Sequence, residues 1–189
     1  MNDASAASAD RRVVLYELMS LDGVADDPGR GEWLGDPGAG LLDFLGETIA
    51  TQDAVLLGRR TYEMWAPHWP TAQLQPFADF INTTTKFVFT SSPMQLDWEQ
   101  SVRVTDSAAS FVAGLKQQSG GDIGIHGSLS LARTLLAAHL VDELRIVLAP
   151  SLAGNGKRLF GDSGNLQRFE MVSSERSGES LLLHYRRLD

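Results

Sequence analysis

An α/β architecture around a mostly parallel, twisted sheet is the fold class that this sequence predicts, on three observations. Short apolar, β-branched runs alternate with segments of helical periodicity. Several of these runs end in turns rich in Gly or Ser that open directly into the next helix. The closing strands follow one another with long loops and no helix between them, which calls for an antiparallel carboxyl-terminal edge.

The elements follow in order. Residues 1–11 are expected to form a disordered tail, and 12–189 one domain. Arg12 to Met19 reads as a buried strand closed by the turn Ser20-Leu21-Asp22-Gly23. Ala25 to Gly40 is a loop rich in Gly, Pro and Asp with Trp33-Leu34 as its apolar pair, and a loop of that length is usually functional or mobile. Leu41 to Thr51 carries apolar residues at helical spacing. Asp53 to Leu57 is a second buried strand, and Gly58-Arg59-Arg60-Thr61 closes it ahead of a helix over Thr61 to Trp65.

A short helix over Phe77 to Asn82 precedes the strand Thr85 to Thr90, which Ser91-Ser92-Pro93 ends. Ser101 to Val104 is a fourth strand. Ser107 caps an amphipathic helix that runs to Gln118 and stops at Gly120-Gly121. Asp122 to His126 is the next strand and Ser128 to His139 the next helix. Glu143 to Ala149 and Leu181 to Arg186 are the late strands, and no internal repeat or linker interrupts the series.

Composition narrows the function classes. The chain has 189 residues, 43% hydrophobic, enough for one domain with a sizeable core. A formal net charge of −8 offers no basic surface for nucleic acid. The absence of cysteine excludes disulfides, thiolate metal sites and cysteine nucleophiles. The first ten residues lack the pattern of a signal peptide. No segment approaches the roughly 20 apolar residues of a membrane helix. A cytoplasmic enzyme or binding protein is the expectation.

Three strand-end turns carry the chemistry. In Gly58-Arg59-Arg60-Thr61 the glycine permits a tight turn, the arginines offer planar donor forks, and Thr61 is placed to cap the helix. That set suits a ribose phosphate, such as the extra phosphate of NADP; the alternative is a solvated arginine pair. Ser91-Ser92 offers hydroxyls at a second strand end, or is simply a turn. Gly127-Ser128-Leu129 opens a helix at a third, where backbone N–H groups and the helix dipole favour an anion. Ligands of open α/β sheets collect at the carboxyl ends of strands, so the three turns reinforce one another.

Other candidates are weaker. His126-Gly127-Ser128 lacks the spacing of a nucleophile elbow, because Ser130 stands where a glycine is required. The four histidines have no metal-ligand spacing. Gly154-Asn155-Gly156-Lys157 lacks the ending of a phosphate loop and reads as a structural loop. Asp22 and Asp43 are the preferred acid–base pair, with Glu47 behind them. Hydride transfer requires no protein nucleophile, because the cofactor supplies the chemistry.

These residues, in this order, resemble the dihydrofolate reductase-like superfamily, and most closely the reductase domain of bifunctional riboflavin-biosynthesis deaminase-reductases. The landmarks are Ser20-Leu21-Asp22-Gly23, Leu56-Leu57-Gly58-Arg59-Arg60-Thr61-Tyr62-Glu63, Gly127-Ser128, Leu140-Val141-Asp142-Glu143-Leu144 and Ala149-Pro150-Ser151-Leu152-Ala153-Gly154. The resemblance implies a three-layer fold with helices on both sheet faces and NADPH bound across the strand ends. Arg59, Arg60 and Thr61 would hold the adenosine phosphate end, with Ser91 and Ser92 nearby. Gly127, Ser128 and Leu129 would lie along the pyrophosphate. Ser20, Leu21 and Gly23, with the loop to Trp33, would border the nicotinamide and substrate.

The sequence also departs from these relatives. Ser128 stands where they carry a second glycine, adding a hydroxyl donor, and the zinc-binding deaminase half is absent. The leading expectation is a stand-alone NADPH-dependent reductase of a small heterocyclic or ribityl-type substrate. It resembles 5-amino-6-(5-phosphoribosylamino)uracil reductase or dihydrofolate reductase. The alternative is a non-catalytic nucleotide- or pterin-binding module on the same fold. A homodimer is expected, with apolar Leu181, Leu182 and Leu183 packing across the twofold.

Overall fold

The computed structural model describes residues 11–26, 28, 32–161 and 166–188. The predicted tail at 1–10 and part of the loop at 27 and 29–31 lie outside these residues. Arg11, assigned to the tail from sequence, is instead buried: its Nε donates to Gly121 O at 2.6 Å and its guanidinium pairs with Asp53.

Eight strands form one sheet in the order β4-β3-β2-β5-β1-β6-β8-β7. They are β1 Val13–Ser20, β2 Gln52–Gly58, β3 Thr85–Phe89, β4 Ser101–Val104, β5 Asp122–His126, β6 Glu143–Ala149, β7 Phe169–Ser177 and β8 Ser180–Arg187. From β4 to β6 every neighbour pair is parallel, whereas β6–β8 and β8–β7 are antiparallel. The predicted parallel sheet with an antiparallel edge is therefore the fold observed. Strand β7 is one that sequence reading missed. It is exposed over nearly its whole length, so burial imposed no apolar alternation on Glu170-Met171-Val172-Ser173-Ser174.

Helices cover both faces. Val112 and Leu115 of α4 (Ala108–Lys116) and Leu131, Ala132 and Leu135 of α5 (Leu129–Ala137) pack over Val13, Leu15, Ile123 and Ile125. The opposite face receives Phe44, Leu45 and Ile49 of α1 (Gly40–Ile49), Tyr62 of α2 (Arg59–Trp65), and Phe77 and Ile81 of α3 (Phe77–Thr83), which meet Tyr16, Val55, Leu57 and Val88. Period-two alternation along β1 sorts its residues between these two cores. As the sequence predicted, Ser107 caps α4, accepting from the Ser110 N–H at 3.2 Å.

Two buried charges are held by specific partners. Lys86, fully buried in β3, donates to Ile81 O at 2.8 Å and Thr84 O at 2.9 Å, satisfying carbonyls at the end of α3. At the amino-terminal end of the sheet, Glu143 accepts from Arg12 at 2.7 Å and meets His184 Nε2 at 2.9 Å, while Arg12 also donates to Asp122 at 2.6 Å. This network lies at the end of the sheet opposite the strand-end turns and ties β1, β5, β6 and β8 together.

Candidate functional site: a row of turns at the carboxyl ends of four strands

Because β3, β2, β5 and β1 are adjacent and parallel, their carboxyl ends form one edge, and each predicted turn falls on it. Strand β5 inserts between β1 and β2, so the chain winds away in opposite directions on its two sides. Such a switch point opens a crevice above the strand ends.

At the centre, β5 ends at His126 and α5 begins at Leu129. Gly127 and Ser128 between them both adopt left-handed backbone, with φ of 63° and 52°. Glycine takes that conformation freely, whereas Ser128 holds it at a cost of about 1 kcal/mol. Its hydroxyl explains the retention. Ser128 Oγ accepts from the Gly58 N–H at 2.9 Å and donates to Thr61 Oγ1 at 2.8 Å. The hydroxyl read from sequence as a ligand donor is thus spent between the two turns. Ser128 places no side-chain cap on α5, so the helix presents first-turn N–H groups, beginning at Leu129, at this edge.

The neighbouring turn differs in detail from the prediction. Helix α2 starts at Arg59 rather than Thr61, with Gly58 as an extended N-cap. Thr61 therefore sits inside the first turn, buried and bonded to Ser128, and does not cap. Arg59 and Arg60 are exposed in that first turn, which holds no acidic residue, and Arg59 Nε reaches Glu63 in the next turn at 2.7 Å. Two cations at the positive end of a helix oppose its dipole, and a bound anion would relieve that conflict. At the next strand end, Thr90 Oγ1 accepts from the Ser92 N–H at 3.3 Å and fixes a turn whose Ser91 and Ser92 are exposed.

On the other side of β5, the loop after β1 is clamped to the loop after β6. Asp22 accepts from Ser20 Oγ at 2.6 Å, from the Ala153 N–H at 3.0 Å and from the Gly154 N–H at 2.9 Å. The Ser20 hydroxyl foremost, with these two amides, holds its carboxyl down to about 2. Gly154-Asn155-Gly156-Lys157 is therefore a structural loop that anchors Asp22. Ser20 is fully buried with its hydroxyl engaged by Asp22; Leu21 is exposed, and Gly23 turns the chain at φ 83°. Half-buried Trp33 is fixed through its carbonyl, which accepts from Ser151 Oγ at 2.5 Å.

The structure does not join the predicted acid–base pair. Asp43 and Glu47 are exposed on α1, and among the described residues no hydrogen bond or ion pair links either to Asp22. Between α1 and β5 lies an aromatic floor: the His126 ring is 5.7 Å from Tyr16 and 5.2 Å from Phe77, and Tyr16 is 6.2 Å from Phe44. Burial pushes His126 down to about 3, and its Nε2 meets Gln52 Oε1 at 2.8 Å. Gly124 leaves room for that pair, since a Cβ there would stand 2.0 Å from Gln52 Oε1.

Two residues of this edge escaped sequence reading. Trp65 flanks Gly127, with its ring 3.6 Å from where a Cβ would be. Its spacing, four residues after Thr61, placed it on the same helix face. Glu17 is a buried carboxyl in β1, pushed up to about 8 by burial. A lone acid inside Val-Val-Leu-Tyr-Glu-Leu-Met was the available signal. Among the described residues no cluster of three or more His, Asp or Glu side chains forms a metal site, and no helix is long and apolar enough to cross a membrane.

Comparison with known proteins agrees with this fold. The chain is 33% identical over 181 residues to the uncharacterized protein YwjB of Bacillus subtilis (strain 168), covering 93% of this chain and 98% of that one. Its fold matches the crystal structure of a putative riboflavin biosynthesis protein from Shewanella sp. PV-4, with a TM-score of 0.74 at 22% identity over 94% and 99% of the two chains. It also matches dihydrofolate reductase from Enterococcus faecalis complexed with NADP(H), with a TM-score of 0.64 at 19% identity over 94% and 97%. The fold is thus dihydrofolate reductase-like. The RibD C-terminal domain family matches residues 11–183, nearly the whole described chain, and the protein belongs to that family.

Proposed function

We propose that this protein is an NADPH-dependent reductase of a small heterocyclic or ribityl-type substrate. The observation that carries the reading is the unbroken row of turns on adjacent strands, Ser91-Ser92, Gly58 to Thr61, Gly127 to Leu129 and Ser20 to Gly23. Arg59 and Arg60 would hold the adenosine phosphate beside Ser91 and Ser92. The left-handed turn at Gly127 and Ser128 and the first-turn amides from Leu129 would hold the pyrophosphate. The loop after β1 and Trp33 would border the reacting ring. The residues present therefore fit the dinucleotide. A fold relative complexed with NADP(H) supports the same choice.

Bound NADPH supplies a hydride, so the protein's task is to orient substrate and route one proton. Asp22 is ionised at neutral pH with its acceptor sites engaged, and its role is to position the loop. Exposed Asp43 on α1, or water, is left to relay the proton. Titration by tryptophan fluorescence tests the cofactor: saturable NADPH quenching at micromolar levels is expected, and its absence would reject the proposal.

A second reading, a nucleotide- or pterin-binding module, draws support from the exposure of Asp43 and Glu47, neither of which, among the described residues, is held by a hydrogen bond towards the strand-end turns. NADPH oxidation across a panel of pterins, pyrimidines and sugar ketones separates the two. Turnover lowered by Arg59→Ala excludes the passive module.

We also propose a homodimer through the β8–β7 edge, with one revision. Leu182 and Leu183 are buried in the chain's own cores, leaving Leu181, Met171 and Val172 exposed. Light scattering giving the 20.6 kDa monomer mass would overturn it.

A further inference from the structure

Strand β1 outruns its neighbour. Its pairing with β5 ends at Tyr16 and His126, whereas its pairing with β6 continues to Ser20 and Ala149. Past Tyr16 the side of β1 that faced β5 borders the turn at Gly127. Arg12 O accepts from Ile123 N, so even-numbered residues of β1 direct their backbone groups towards β5. Leu18 therefore points its N–H and C=O into the gap. Glu17, 4% exposed, lies level with Gly127 where β5 has given way. Its carboxyl lies against the Leu18 N–H, and its Oε2 is buried with no partner among the described residues. A buried orphan oxygen level with the turn at Gly127 calls for a partner.

The row of turns sets which part of a ligand arrives there. With the adenosine phosphate at β2 and β3 and the pyrophosphate at the β5 turn, the remaining end extends over β1. This step rests on the cofactor reading above. We propose that the Glu17 carboxyl reads the carboxamide of the nicotinamide ring, its O–H donating to the amide oxygen and its C=O accepting from the amide N–H. That makes Glu17 a specificity-determining residue of the cleft.

Burial keeps this group a donor at neutral pH, pushed up to about 8, with only the Leu18 N–H pulling the other way. The titratable groups on the packed elements do not offset it. Asp122 and His126 of β5 and Glu143 and Arg145 of β6 project from the opposite face by strand alternation, as does Tyr16. Arg133 of α5 is engaged with the carbonyls of Arg158 and Leu159.

The test is fluorescence titration of the full chain with NADPH and with its 3-acetylpyridine analogue, in which a methyl replaces the amide nitrogen. Wild type, Glu17→Gln and Glu17→Leu are compared at pH 7 and pH 9. Wild type should prefer NADPH over the analogue by roughly three- to tenfold at pH 7 and lose that preference at pH 9. Glu17→Gln, still both donor and acceptor, should keep it at both pH values. Glu17→Leu should lose it at both. Wild-type preference retained by Glu17→Leu would overturn the inference while leaving the cofactor reading intact. No saturable NADPH binding by wild type at either pH would remove both.

Discussion

Ser128 Oγ donates to Thr61 Oγ1 at 2.8 Å, joining the turn after β5 to the first turn of α2 across 67 residues of sequence. The same oxygen accepts from the Gly58 N–H at 2.9 Å. A serine in left-handed backbone thus fixes the spacing between the two turns assigned to the pyrophosphate and the adenosine phosphate.

Ser128→Ala should lower stability by about 1–2 kcal/mol in urea denaturation, because the Gly58 N–H and Thr61 hydroxyl lose a partner while the left-handed strain persists. Ser128→Gly should recover up to about 1 kcal/mol of that loss by removing the strain. Equal stability of wild type and Ser128→Ala would remove the bridge from the argument.

Arg59 and Arg60 share the first turn of α2, where Arg59 pairs with Glu63 one turn on and Arg60 has no acid in that turn. Arg60→Ala should weaken NADPH binding about tenfold or more and leave NADH binding within about twofold, since a charge-assisted phosphate contact is lost. Titrating both nucleotides measures this, and a parallel loss for both would place the arginine away from the extra phosphate.

Asp22 ties Ser20, Ala153 and Gly154 together as an anion. Asp22→Ala should speed amide hydrogen exchange at Ala153 and Gly154 by roughly tenfold while the β1–β6 strand amides stay protected. Unchanged exchange at those two amides would show that the clamp does not order the loop.

Glu17 gives stability a pH dependence of known sign. Its carboxyl titrates near 4.5 when unfolded and at about 8 in the fold, so between these values the unfolded chain releases a proton the folded chain keeps. Its contribution is fully present below pH 4.5, falls as pH rises through that window, and is level above about 8. Glu17→Gln should flatten the slope between pH 5 and 8, a difference of a few kcal/mol across the window. Stability curves of equal slope for the two proteins would contradict the buried carboxyl.

Glu143 balances Arg12 and His184 inside the sheet. Glu143→Ala should cost about 1–3 kcal/mol, because His184 Nε2 loses its buried partner while half-exposed Arg12 keeps Asp122. A thermal melt within a degree or two of wild type would count against the network.

Particular residues show why part of the site was legible. The turns at Gly58 and Gly127 were visible because each joins an apolar run to an amphipathic one, and that joint is local. Thr61 was read as a cap because its hydroxyl stands near a helix start, yet its partner is Ser128, which no local pattern reveals. Asp22 looked like a candidate acid for the same reason: its partners Ala153 and Gly154 lie more than 130 residues away. Strand β7 was invisible because an edge strand exposed on both faces carries no burial pattern.

The sequence by itself determined the alternation of strands and helices, the parallel sheet and the residue types at each strand end, because short-range periodicity and turn chemistry encode them. Only the tertiary structure decided that β5 inserts between β1 and β2 and sets four turns in one row. Only it engaged Asp22 as a clamp on Ala153 and Gly154, kept Glu17 neutral, and turned Ser128 inward. Those outcomes depend on desolvation and on hydrogen bonds between distant segments, and both arise only when the sheet is assembled.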